Sequence, residues 1–416
     1  MGCCNRRCGL IAGAVFGALV AILGGILIPV GNTIIEDTVQ KEAVIEDGTT
    51  AFDNWVSAGA AVYRQFFFFD VKNPLEVVKY GAAPVVIEKG PYTYRTRYLP
   101  KENIMFYPDN TISYQLPLGA IFEPSLSVGS EDDNVTTINL IMYNDTYDGN
   151  YTIFSGKDDI SKVGMIDKYQ GERSLSFWNN TYCDMINGTD ASSFPPFLDK
   201  SEPLYFFSSD ICRSVSGHYQ ESLDLKGIEV YRYTLQPDTL AAPSVNPDNQ
   251  CFCTDPEIMK NCTLAGVLDV SACQQGMSIY ISLPHFLHGS PSLRENVLGL
   301  NPSEERHSTF LDVEPTTGFT LRFAKRLQVN MMYGPSKTIT VLKEIKDYTI
   351  FPIVWVDETA SLDDATANMF KKELLSRVDM LGIIQKVLMG VGAGIFLLCL
   401  IGYCVVRRRD SQSKLA

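Results

Sequence analysis

Histidine is the scarcest reactive side chain in this 416-residue sequence, which holds only His218, His285, His288 and His307. No His-Glu-x-x-His pair occurs, and no phosphate-cradling glycine loop. His288-Gly289-Ser290-Pro291-Ser292 lacks the framing glycine of a nucleophile elbow. His285 lies in the strand-like run Ser282-Leu283-Pro284-His285-Phe286 and reads as a satisfied structural histidine. The sequence is therefore expected to carry no catalytic residue, no metal and no cofactor. Basic charge is also short. The formal net charge is −13, and outside the terminal tails 29 basic residues face 47 acidic ones, which argues against a nucleic-acid partner. Low-complexity linkers and internal repeats are missing too, so the long middle is expected to fold as one domain.

Two stretches lack charge altogether. Leu10 to Val30 is apolar throughout, and so is Val387 to Val406. About twenty helical residues cross the hydrocarbon core of a bilayer, so both are long enough to span it. The first ends in Ile28-Pro29-Val30-Gly31, poor chemistry for signal cleavage, and reads as a retained anchor. Arg6 and Arg7 precede it, and Arg407, Arg408 and Arg409 follow the second span. Basic residues beside spans stay cytoplasmic, so residues 1–9 and 407–416 are expected inside and residues 31–386 outside or in a lumen. Gly13-x-x-x-Gly17 and Gly390-x-x-x-Gly394 offer close packing of the spans. A two-span ligand-gated ion channel would share this topology. It needs polar residues along a span, and none lies between Val387 and Leu398, while Lys386 sits at the outer edge, placed to snorkel.

Six cysteines fall in the outer segment: Cys183, Cys212, Cys251, Cys253, Cys262 and Cys273. An even number predicts three disulfides, with the pairing left open by pattern alone, and a zinc reading of the last four is weaker in an oxidising compartment. Six glycosylation tripeptides, at Asn134, Asn144, Asn150, Asn179, Asn187 and Asn261, all lie between the spans.

Past a helical stalk around Ile34 to Val39, the texture turns to strand. Phe66 to Phe69 ends at Lys72-Asn73-Pro74, and Tyr92, Tyr94, Thr96 and Tyr98 alternate as in a half-buried strand. Further strands are expected at 111–116, 230–235, 279–283, 319–329 and 348–356, the last demoted to an edge by Pro352. The basic pair Arg95 and Arg97 reads as solvated. A second stalk, 364–381, leads into the second span. The predicted fold class is an α+β membrane protein with a large antiparallel sheet domain between two terminal helices.

Gly90-Pro91-Tyr92-Thr93-Tyr94-Arg95, Phe122-Glu123-Pro124-Ser125-Leu126-Ser127, Asn246-Pro247-Asp248-Asn249 before Cys251-Phe252-Cys253, Ile281-Ser282-Leu283-Pro284-His285-Phe286 and Phe323-Ala324-Lys325-Arg326-Leu327-Gln328-Val329-Asn330 resemble the class B scavenger receptors, over essentially the whole chain. The resemblance implies a two-span receptor at the plasma membrane, passing through Golgi and endosomal membranes. Its outer β-barrel, decorated with helices, would be threaded by an apolar tunnel for long-chain fatty acids and other lipids. Lipoproteins, thrombospondin-type modules and cytoplasmic signalling kinases are the implied partners. It also implies disulfides Cys183–Cys251, Cys212–Cys273 and Cys253–Cys262, and palmitoylation at Cys3, Cys8 and Cys404, to which Cys4 adds a further candidate. After Thr137-Ile138-Asn139-Leu140 the family continues with a helical head, whereas this sequence passes directly to Ile141, so a head segment is expected to be missing at 140/141. Glu131-Asp132-Asp133 has two readings, a solvated loop or a docking patch for basic thrombospondin-type modules.

Overall fold

The computed structural model describes residues 6–57, 60–97, 99–138, 147–254, 262–274, 276–372 and 376–412. They form two compact units, one of the terminal segments up to Lys41 and from Asp364, the other spanning Glu42–Asp363.

The terminal unit is helical: α1 (Arg6–Ala43), α6 (Asp364–Phe370) and α7 (Ser376–Gln412). Arg6–Ala43 and Gly382–Arg409 are each long and apolar enough to cross a membrane, and both are almost entirely unburied, unlike the core helix of a soluble protein. α1 runs well past the apolar stretch, so the segment expected as a first stalk continues the same helix. α1 and α7 pack through small residues. A Cβ on Gly17 would lie 2.5 Å from the Phe396 nitrogen, and one on Gly24 would lie 2.8 Å from the Met389 nitrogen. On α7 the residue in contact is Gly392, whose Cβ would meet the Ala21 backbone, whereas Gly390 and Gly394 have nothing within 4 Å. The expectation for the second glycine pair is thus corrected. Two residues along a helix is about 200° of rotation, so Gly390 and Gly394 point away from the face that Gly392 presents. Buried Gln385 closes the contact, its Nε2 donating to the Leu27 carbonyl at 2.8 Å.

The other unit begins with α2 (Thr50–Val56), capped by the Thr49 hydroxyl, and builds two antiparallel sheets. The strands of the larger are β1 (Val62–Val71), β2 (Val86–Thr96), β5 (Ala120–Phe122), β8 (Leu204–Ser208), β9 (Arg213–Leu225), β10 (Ile228–Leu235), β11 (Leu268–Asp269), β12 (Ile279–Ser282), β13 (Phe310–Val313), β14 (Thr320–Tyr333) and β15 (Thr349–Ser361). Their order is β5-β2-β1-β15-β14-β13-β10-β9-β8, with β12 and β11 branching from β14. The smaller sheet runs β3 (Glu102–Phe106), β4 (Thr111–Pro117), β6 (Tyr147–Phe154), β7 (Ile166–Tyr169). Among the described residues no pairing joins β5 to β8. Short helices α3 (Pro74–Tyr80), α4 (Pro291–Glu295) and α5 (Glu304–His307) fill connections.

Every strand expected from the sequence is present, but β15 is not an edge. It lies between β1 and β14. Pro352 is tolerated because its missing N–H falls beyond the β1 ladder, which ends at Phe68 opposite Val354. Towards β14 it sits where the register shifts between Val329 and Asn330. β2 also departs from a half-buried strand. Thr93 is fully buried, donating to the Leu126 carbonyl at 2.6 Å, because residues 123–127 fold back over it.

The phenylalanine run splits by strand period. Phe67 and Phe69 face one core, where Phe67 stacks on Trp355 at 4.0 Å. Phe66 and Phe68 meet Tyr94 and Tyr92 edge-on at 5.6 and 5.8 Å on the other face. Three disulfides, Cys183–Cys251, Cys212–Cys273 and Cys253–Cys262, tie the strand-poor stretch after β10 to the segment before β8, to the β8–β9 connection and to itself. Trp178 reinforces the first two, donating to the Cys212 carbonyl at 2.8 Å and meeting Phe252 edge-on at 4.9 Å.

Candidate functional site

The densest polar constellation lies under β1, β2 and β15, at the turn after β12. There His285, Phe286 and His288 all take the left-handed backbone region, with φ of 54°, 53° and 60°. The turn is no strand, and a β-branched or bulky residue held there stores strain that its surroundings must hold. Glu88 of β2 supplies the hold. Its Oε2 accepts from His285 Nε2 at 2.7 Å and Trp355 Nε1 at 2.9 Å, and its Oε1 from Arg306 at 2.8 Å. Burial alone would raise this carboxyl, but the three donors bring it down to about 2. His307 stacks on His285 at 4.5 Å and is fully buried, and burial together with the His285 ring pushes it down to about 4.

Glu88, His285 and His307 bring ligand atoms close enough to suggest a cation site. The donor pattern opposes it. The Nδ1 of His285 accepts from the Asn301 N–H, and that of His307 from the Ser303 N–H, each at 3.0 Å. A neutral ring with its Nδ1 so occupied carries its proton on Nε2, the atom that would have to bind metal. The cluster is a lock: it joins β2, β15, the strained turn and α5, and leaves Glu88 no free oxygen for acid–base work.

A second ionic lattice crosses three neighbouring strands. Arg64 of β1, Glu358 of β15 and Lys325 of β14 are in register. Glu358 is 2 % exposed, and its carboxylate lies 2.6 Å from Arg64, 2.9 Å from Arg97 and 3.4 Å from Lys325, which also reaches Asp210 at 2.5 Å. Burial opposes its charge, yet Arg97, Lys325 and Arg64 hold it far below the usual carboxylate range. The reading of Arg97 as solvated is corrected, since it is paired with this buried carboxylate, whereas Arg95 keeps an exposed side chain and pairs with Glu123 at 3.2 Å.

The acidic run and most of the described glycosylation and acylation candidates fall at the surface. Glu131 and Asp133 are tied back to β2, accepting from Tyr94 at 3.1 Å and Tyr92 at 2.7 Å, with Lys89 3.9 Å from Asp133. Burial and this carboxylate push Tyr92 up to about 12. Asp132 is exposed. Cys8 and Cys404 are exposed thiols, while Cys3 and Cys4 lie outside the described residues. Asn134, Asn150 and Asn179 are exposed, and Asn144 and Asn261 lie outside the described residues. Asn187 is half-buried, its N–H donating to Ser214, and the Thr189 of its tripeptide is 1 % exposed. Glycopeptide mapping should therefore find Asn134, Asn150 and Asn179 carrying glycan and Asn187 the least occupied of the four. Equal occupancy at Asn187 would contradict an acceptor closed off by folding.

Sequence comparison covers nearly all of this architecture. The model of the CD36 family matches residues 15–144 and 140–403. Scavenger receptor class B member 1 of Rattus norvegicus is 31 % identical over 459 residues, covering 94 % of this chain and 88 % of that protein. The protein of the same name from Cricetulus griseus is 29 % identical over 453 residues, covering 92 % and 87 %. Lysosome membrane protein 2 of Homo sapiens is 32 % identical over 403 residues, covering 81 % and 82 %.

Proposed function

The chain belongs to the CD36 family, and from that membership we propose that it is a two-span class B scavenger receptor whose outer sheet domain binds lipid and lipoprotein particles and passes lipid towards the membrane. The observation that carries this reading is the family match from residue 15 to residue 403, which reaches into both apolar helices and takes in the whole sheet unit between them. Binding of this kind needs apolar burial and no reacting group: each methylene removed from water contributes about 0.8 kcal/mol, so an acyl chain is held without catalysis. Long-chain fatty acids are the proposed small ligands, and the plasma membrane the proposed site. S-acylation is proposed at Cys3, Cys4, Cys8 and Cys404; the exposure of Cys8 and Cys404 supports it. Thrombospondin-type modules are proposed at the acidic run, where Glu131, Asp132 and Asp133 are all exposed to a basic face.

A missing head segment at 140/141 belongs to the same proposal, and the junction itself lies outside the described residues. Two findings support it. The family match breaks in two at 140–144, and the alignment with the rat relative runs to 459 positions, more than the 416 residues here.

Cells expressing the chain should take up a fluorescent long-chain fatty acid and labelled lipoprotein lipid faster than untransfected cells, with both termini shielded from added protease. Restoring a head segment from a relative should raise particle uptake per surface molecule much more than fatty acid uptake. Unchanged uptake of both lipids, with a ligand-evoked current under voltage clamp, would overturn the receptor reading in favour of a channel.

A further inference from the structure

β9 outruns its neighbour on one side. β8 pairs with it only from Arg213 to Gly217, whereas β10 stays alongside as far as Leu225. Among the described residues no backbone hydrogen bond joins residues 218–225 to anything but β10. The outer N–H and C=O groups of this stretch form an open sheet edge, the surface on which a further strand adds most readily. Its side chains oppose self-pairing. Glu221 and Asp224 are exposed on opposite faces of the edge, so a second copy laid against it would set acid beside acid.

One face of this edge favours cations. The register sets Tyr219 opposite Tyr233, Ser222 opposite Tyr231 and Asp224 opposite Glu229, which puts all of these side chains on the same side of the sheet. Tyr219 and Tyr231 meet edge-on at 5.6 Å. The exposed Lys200 lays its ammonium over both, 4.4 Å from the Tyr231 ring centre and 5.1 Å from that of Tyr219, and donates to Ser222 at 3.1 Å. Desolvation works against this charge, but Tyr219, Tyr231 and Glu229 favour it and leave the Lys200 pKa raised. Beside them the hydroxyl of Tyr233 is fully buried and, among the described residues, has no hydrogen-bond partner, so a donor reaching between the rings would find an acceptor there. Two residues further along the strands, about 7 Å away, Asp224 and Glu229 stand opposite one another, both exposed, with Asp224 also accepting from the Gly227 N–H at 2.9 Å. Like charges so placed destabilise a sheet, and a cation between them reverses the effect.

We propose that the outer edge of β9 takes up an extended basic segment of another protein as an added strand. Backbone hydrogen bonds would supply the attachment. Lysine or arginine side chains at alternate positions of an extended segment are also about 7 Å apart, so one meets the tyrosines while the next meets the acid pair. Lys200 is then the resident cation that the incoming one displaces, and the acids select a basic strand over a copy of this chain. The site shares no residue with the acidic run at 131–133 and stands independently of the lipid-receptor reading.

The test uses the full chain in nanodiscs and a short fluorescent peptide alternating lysine with threonine. The parent should bind it, and should bind neither a glutamate–threonine version nor a lysine version whose alternate backbone nitrogens are methylated. Asp224→Asn with Glu229→Gln should weaken binding about fivefold, while the melting temperature stays level or rises because the like-charge pair is gone. Lys200→Gln, which clears the tyrosines, should strengthen binding about threefold. Neutralising Glu131, Asp132 and Asp133 together should leave it unchanged. Equal binding by the parent and the Asp224 and Glu229 variant overturns the site, as does binding that is lost only on neutralising 131–133. Equal binding of the methylated peptide overturns strand addition. Capture of phosphatidylcholine vesicles that Tyr231→Leu abolishes, with no peptide bound, overturns the proposal in favour of a choline headgroup on the tyrosines.

Discussion

Replacing Glu358 with glutamine is expected to cost the sheet unit about 3–5 kcal/mol, among the largest effects of any single substitution in it. The carboxylate is 2 % exposed and faces Arg64, Arg97 and Lys325, so removing its charge leaves three half-buried cations facing one another around a buried amide. Lys325 keeps Asp210, but Arg64 and Arg97 lose the nearest anion. Denaturant midpoints of the purified protein should fall accordingly. Lys72→Ala, which breaks the exposed pair with Asp70, should move the midpoint by no more than about 1 kcal/mol equivalent. A Glu358→Gln loss as small as that of Lys72→Ala would mean that solvent screens the lattice.

Acid is expected to weaken the same unit well above the ordinary carboxylate range. His307 is held down to about 4 in the folded chain against an unfolded value of 6.5, so below pH 6.5 the unfolded chain takes up a proton that the folded chain refuses. Stability should therefore fall as pH drops from 6.5 towards 4, by about 1.4 kcal/mol per unit and on the order of 3 kcal/mol by pH 4.5. Glu88 acts lower. Its folded value of about 2 lies below the unfolded 4.5, so the stabilisation it gives is complete above 4.5 and is lost as pH falls from there through 2. Melts at pH 7.5 and 4.5 should show the drop, and His307→Gln, whose side-chain oxygen can still accept from Ser303, should flatten it. An unchanged pH dependence in that variant would exclude His307 as the source.

The parts legible from sequence were those set by short-range pattern. Twenty apolar residues in a row fix a span-length helix, and alternation over 319–329 or 348–356 marks a strand, because both periods are local. What failed was set by partners distant in sequence. Pro352 reads as an edge signal until it is known that β1 stops pairing at Val354. Arg97 reads as solvated because its anion lies 261 positions away, at Glu358. Glu88, Arg306 and His307 carried no signal at all: His285 and Arg306 are 197 and 218 residues from Glu88, and no spacing rule reaches that far. His285 was rightly a satisfied histidine, though in a strained turn. The glycine pairs show the same limit, since a small-residue motif tells which faces permit close approach and not which face is used.

β1 and β15 are the first and last strands of the sheet unit, and they pair directly, Val62 with Ala360. A ribosome adding about 5–20 residues per second needs roughly 15–60 s to travel between those positions. Through that interval β1, with Phe66 to Phe69 along it, waits without the neighbour that will stack Trp355 on Phe67. Until residue 349 emerges, the nascent polypeptide holds an aromatic hydrogen-bonding edge open to any other strand, which is the stage at which a chaperone has the most to shield.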